Sequence, residues 1–142
     1  MPLENFGSIL NFAEELENQD EAFYSAAANN PACNEYKNLF EQFAADASKN
    51  IKTIQRTRRE NVTEMILEPI KDFVRAPFCE ECEGAATMEA AEVLSSAKTL
   101  EGRAERYYTE AAAKIKALPE VSRALKILGK KHTAHIGKLD EL

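Results

Sequence analysis

Between Leu94 and Leu118, apolar side chains recur at alternating steps of three and four: Leu94, Ala97, Ala104, Tyr108, Ala111, Ile115 and Leu118. That spacing draws one continuous stripe down a helix face. Its only charged member is Glu101. The same period predicts three more helices. The first starts near Gly7 or Ser8, with Ser8 a candidate N-cap, and carries Leu10, Ala13, Glu17, Asp20, Tyr24 and Ala27 before stopping in Asn29-Asn30-Pro31. The second, from about Asn34 to Arg59, carries Tyr36, Phe40, Phe43, Ala47, Asn50, Ile54 and Thr57. The striped helix that holds Glu101 is the third. It spans roughly Ala86 to Ala117 and ends at Leu118-Pro119, because the residue before a proline is pushed out of the helical region. The fourth, from about Glu120 onward, carries Val121, Leu125, Leu128, His132, His135 and Leu139. No sustained alternation of β-branched and aromatic residues predicts a strand. The chain reads as all-α.

The stripes repeat. Shifted by 84 residues, Leu10, Ala13, Glu17, Tyr24 and Ala27 fall on Leu94, Ala97, Glu101, Tyr108 and Ala111. Shifted by 85, Phe40, Phe43, Ala47, Asn50, Ile51 and Ile54 fall on Leu125, Leu128, His132, His135, Ile136 and Leu139. An internal repeat at this many positions marks a duplicated unit, here a helix pair. Residues 60–85 join the copies. They hold a break at Asn61-Val62-Thr63, a short amphipathic piece over 65–74 interrupted by Pro69, and a loop over 76–84. That connection is too long for a helix hairpin, so the pairs are expected to be linked by a crossover within a single domain, 1–142.

Composition narrows the function classes. The 142 residues carry 18 Lys+Arg against 24 Asp+Glu, a net charge of −6. With no basic cluster larger than Arg56 to Arg59, nucleic acid is not expected as a partner. No apolar run has membrane-spanning length. The opening Met-Pro-Leu-Glu-Asn shows neither a basic nor an apolar leader segment. A cytoplasmic protein, assembled as a homo-oligomer and most simply a dimer, is the expectation. Three cysteines do not suggest a disulfide framework.

A carboxylate within a buried stripe costs several kcal/mol unless it is paired, and both repeats carry one. The phrase Leu-Glu-x-x-x-Glu-x-(Phe/Tyr)-Tyr occurs at Leu16 to Tyr24 and again at Leu100 to Tyr108. It resembles the first and third helices of the rubrerythrin and ferritin-like di-iron carboxylate family. Leu39 to Asp46 and Leu128 to His135 are similar to that family's second and fourth helices. The resemblance implies a ferritin-like four-helix bundle with one long crossover. It also implies a metal site built from a Glu on each of two helices and a Glu-x-x-His motif on each of the others. Glu17 and Glu101 match the single glutamates, and His135 matches one histidine. The chain departs from the pattern at Ala47 and Asn50, where Glu-x-x-His is expected, and at His132, where a Glu is expected.

The residues that remain, Glu101, His132 and His135 with Glu17 as a fourth ligand, suit a single divalent ion: iron or zinc, with manganese or nickel also compatible. Asp20 and Asn50 are candidate outer partners for the imidazoles. An enzyme built on this site would be an iron-dependent oxidoreductase acting on peroxide or oxygen, with an electron-transfer partner not identified by the sequence. The alternative is a metal-free polar layer in an oligomeric structural or partner-binding bundle. There Glu17 and Glu101 would hydrogen-bond Tyr24, Tyr108 or His135, the histidines would lie near a frayed C-terminus, and His132→Ala would change stability only slightly. Cys79 and Cys82 form one Cys-x-x-Cys, a candidate metal or redox pair. With the second and third helices parallel, the crossover could bring them to Cys33 as a three-thiol cluster or a thiol-based sensor.

Overall fold

The computed structural model of the chain describes residues 6–60, 73, 76–79, 84–85, 87–116 and 118–142. Among these residues there are four α-helices and no strands: α1 (Phe6–Ala28), α2 (Lys37–Glu60), α3 (Ala90–Lys114) and α4 (Pro119–Asp140). None of them is long and apolar enough to cross a membrane. α1 packs on α2 and α3 on α4, with lighter contact between the two pairs.

The stripes lie on buried faces, except that Tyr36, Leu94 and Leu118 are only half-buried and Val93, next to the expected Leu94, is buried in its place. Leu10, Ala13, Ala27, Phe40, Phe43, Ile54, Val93, Ala97, Ala111, Leu125 and Leu139 are all buried. Full burial of one large apolar side chain of this kind contributes about 1.5–3 kcal/mol. The core divides into two apolar clusters. One joins Ile9, Leu10 and Phe12 of α1 to Ile54 of α2, Ala111 of α3 and Val121 of α4. The other joins Phe23 and Ala27 to Phe40, Val93 and Leu139. The start of α1 therefore lies beside the end of α2, and α2 and α3 run parallel. Glu17, Asp20, Asn50, Glu101, Arg103, His132 and His135 are buried but belong to neither cluster. They form a polar layer between the two.

The helix ends differ from the sequence expectation for local reasons. α2 begins at Lys37, not Asn34, because a 3₁₀ turn over Pro31–Tyr36 precedes it. Asn30 caps that turn by accepting from Ala32 N, and Cys33 leaves helical geometry at φ −105°. The Asn30 amide also donates to Ala85 O and Met88 O, at 2.8 and 2.7 Å, pinning the approach to α3. α3 begins only at Ala90. Gly84 takes φ +83°, a conformation that favours glycine, and the Thr87 and Met88 N–H groups bond back to its carbonyl. Helical geometry is lost again at Ile115 (φ −112°), so α3 stops short of Ala117. α4 opens on Pro119, which needs no N–H there.

The short amphipathic piece expected within 65–74, apart from Phe73, lies outside the described residues, and so does Cys82. Cys33 is buried in the cluster with Val93 and Ala85. Burial pushes its thiol pKa up and keeps it protonated. Cys79 is exposed and follows Phe78, which packs on Tyr107 and whose carbonyl accepts from Arg103. Val93 and Arg103 lie ten residues apart on α3, about 15 Å along the axis. Cys79 and Cys33 thus lie beside different levels of α3, and Cys82, the third member of the expected cluster, lies outside the described residues.

Candidate metal centre

Glu17 sits at the middle of α1 and Glu101 at the middle of α3, both fully buried. Around them the repeat becomes a pseudo-two-fold arrangement. In the first half, Asn50 Nδ2 donates to Glu17 Oε1 at 3.1 Å. At the equivalent place in the second half, His135 Nδ1 meets Glu101 Oε1 at 2.7 Å. The tyrosines cross between halves. Tyr24 of α1 donates to Glu101 Oε2 at 3.1 Å, and Tyr108 of α3 donates to Glu17 Oε2 at 2.6 Å. Burial, then the facing glutamate, raises both phenol pKa values well above the ordinary one, so both remain donors.

His132 breaks the symmetry. Its ring lies between the two glutamates, with Nδ1 2.8 Å from Glu101 Oε1 and Nε2 2.7 Å from Glu17 Oε2. It stacks on Tyr108, with ring centroids 5.5 Å apart. Burial favours neutral imidazole, but the charges and hydrogen bonds of Glu17 and Glu101 outweigh it and raise the His132 pKa well above 6.5. Glu101 shows the reciprocal effect. Burial opposes its charge, yet His132 and His135 hold its pKa down at about 2. His135 stacks on Phe43 at 3.9 Å and turns Nε2 toward Asp46 Oδ2 at 2.9 Å. Neither histidine frays: both are buried.

Two partners were not evident in the sequence. Asp46, one residue before Ala47, is the only carboxylate that α2 brings to the layer, and it holds His135. Arg103 is fully buried beside Asp20, with Nη2 3.1 Å from Asp20 Oδ1 and Nη1 donating to Phe78 O. Asp20 therefore does not hold an imidazole N–H as expected; Arg103 takes it. Asn50 likewise serves Glu17 and not a histidine. The signal for Arg103 was Asp20 itself, a carboxylate in a buried stripe that needs a cation. Even so, burial and the neighbouring Glu17 and Glu101 raise the Asp20 pKa well above 3.8, against the pull of His132 and Arg103. Negative charge is in surplus here.

Two groups of donor atoms lie within 4.8 Å of one another: Glu101, His132 and His135, and Glu17, Asp20 and His132. Asp20 Oδ2 and Asn50 Oδ1 are buried acceptors without a hydrogen-bond partner among the described residues. Buried acceptors of this kind ask for a donor or a cation. Imidazole nitrogens with carboxylate oxygens are the donor set of zinc and non-haem iron sites. The residues fit a metal ion. Over residues 7–140 the chain matches the family described as Ferritin-like domain. It belongs to that family. No curated protein and no solved structure matches the chain at a significant level.

Proposed function

We propose that this ferritin-like bundle binds one divalent metal ion, iron or zinc in the first place and manganese in the second, through Glu101, His132 and His135, with Glu17 as the fourth ligand. The observation that carries this reading is the convergence of two imidazoles and a carboxylate in a buried layer that still holds unpartnered acceptors. Donors about 2.0–2.2 Å from an ion stand about 3–3.5 Å apart. The Nδ1 atoms of His132 and His135 stand 2.7–3.2 Å from the Glu101 carboxylate, and the three donors lie within 4.8 Å of one another. Glu17 faces Nε2 of His132, so it would join the same ion only after the His132 ring turns. Asp46 accepts the remaining His135 N–H and fixes which ring nitrogen faces Glu101. Iron at this position would supply redox chemistry toward peroxide or oxygen, whereas zinc would supply structure. A pair of ions is not expected, because Ala47 and Asn50 give the first half no bridging carboxylate and no imidazole.

Metal content per chain, measured by inductively coupled plasma mass spectrometry, tests the reading. About one ion is expected in the wild type, none in His132→Ala/His135→Ala, and no change in Cys79→Ser/Cys82→Ser. Restoring the repeated motif with Ala47→Glu, Asn50→His and His132→Glu should raise the content to about two. No metal in the wild type after reconstitution would overturn the proposal.

One observation favours a second reading. With both nitrogens on carboxylates, a protonated His132 already serves as an internal cation for Glu17 and Glu101. The bundle would then be a metal-free scaffold. Under that reading His132→Ala would not be mild, as the sequence suggested, but strongly destabilising, since it strands two buried carboxylates. A wild type that takes up no ion, together with a large loss of stability in His132→Ala, would favour it.

A further inference from the structure

The bundle opens toward solvent between α2 and α4. A cavity of about 250 Å³ lies there, lined by Asp46, Lys49 and Asn50 from α2 and by Lys131, His135 and Lys138 from α4. The Asp46–His135 hydrogen bond crosses it, and Glu101 lies directly behind His135. The three lysines are exposed at its rim. In a chain of net charge −6, this mouth gathers three ammonium groups against one carboxylate. A recess with one sign of charge concentrates ions of the other sign. Its volume is below the 300–1,000 Å³ or so of pockets for drug-sized ligands. At about 30 Å³ per water, it accommodates a small ion and a few waters.

We propose that this cavity binds a small protic oxyanion, of the size and chemistry of bicarbonate, held by Lys49, Lys131 and Lys138 and donating its own O–H to Asp46. The lysines select negative charge. Asp46 repels a bare anion but accepts from one that carries a proton, and His135 engages only its Oδ2. The ligand is thereby delivered beside His135. Only that last consequence, delivery to a metal centre, rests on the proposed metal site; the binding itself does not.

The test therefore uses the metal-free full-length protein, ¹⁵N-labelled and titrated at constant ionic strength with bicarbonate and, separately, nitrate. These are planar monoanions of matching size that differ in one O–H. Saturable amide shifts are expected around residues 46–50 and 131–138, with bicarbonate about tenfold tighter, the equivalent of about one hydrogen bond. Lys49→Glu/Lys131→Glu should weaken bicarbonate at least about tenfold. Lys37→Glu/Arg123→Glu, with the same change of charge on exposed positions outside the cavity, should not. Absence of saturable shifts, nitrate binding as tightly as bicarbonate, or equal weakening by both double variants would overturn the proposal. If bicarbonate binds as described while the wild type takes up no metal, the metal-site reading fails and this one stands.

Discussion

The two helix pairs share a scaffold and differ in what they bring to its centre. α1 and α2 contribute a carboxylate, Glu17, and an amide, Asn50, with Ala47 one turn away. α3 and α4 contribute a carboxylate, Glu101, and two imidazoles, His132 and His135. Tyrosine, glutamate and flanking apolar residues occupy equivalent places in both pairs. The difference is chemical: Ala47 and Asn50 of α2 stand against His132 and His135 of α4, and Gln19 and Asp20 of α1 against Arg103 and Ala104 of α3. A bundle fold thus fixes where donors can stand, while the identity of a few residues decides how many ions can be held. Here the second half carries both imidazoles, and the first half faces them with Glu17 and Asn50.

The comparison extends to positions beside the ligands, where substitutions can make one half copy the other. The largest effect is expected at Arg103, whose counterpart in the first half is Gln19. Arg103→Gln leaves the buried Asp20 carboxylate without its guanidinium and should cost about 3–5 kcal/mol of unfolding free energy in a urea titration. Adding Asp20→Asn should recover most of that loss.

Next comes pH. Glu101 is held at about 2 against an ordinary 4.5, so its contribution is present above 4.5 and is lost as pH falls toward 2. His132 is raised above 6.5, so its contribution is complete below 6.5 and is lost as pH rises through the raised value. Asp20, also raised, softens the acid limb by taking up a proton in the fold. The unfolding free energy of the metal-free protein, from urea titrations, should fall on both sides of a maximum between about pH 4.5 and 6.5. His132→Gln should remove the alkaline limb and also weaken the acid limb, because His132 is a main cause of the low Glu101 pKa. A flat profile in the wild type would contradict the ion pairs described.

The smallest effect is expected at Gly129, which matches Ala44 in the first half. A Cβ at Gly129 would stand 3.2 Å from Tyr108 Cβ, and Tyr108 is fixed by Glu17 and by its stack on His132. Gly129→Ala should therefore destabilise by about 1 kcal/mol despite the better helix former. Gly137→Ala, where nothing lies within 4 Å, should stabilise by about 0.5–1 kcal/mol. Thermal denaturation resolves the two signs.

The helices and their inner faces were legible because a 3.6-residue period survives wherever one face is buried. The central glutamates and histidines were legible for the same reason: charge inside an apolar stripe stands out. Arg103 was not. It falls off the inner stripe and is buried because the crossover, through Phe78, covers a second face of α3. Asp46 also lies off the stripe and becomes visible only when α4 is docked on α2. Helix starts were misjudged where a side chain or a positive φ, at Asn30 and Gly84, outweighed local propensity.

The crossed tyrosines have a consequence for ancestry. Contacts in which residue i of one unit meets j of the other, and j meets i, are those of an isologous dimer. Tyr24 with Glu101 and Tyr108 with Glu17 keep that pattern inside one polypeptide. Two identical helix pairs could not have placed His132 where it now stands, because both copies of the ring would claim the same space between the same two carboxylates. A single imidazole between the two carboxylates therefore requires halves that differ in sequence, which one polypeptide carrying both pairs permits.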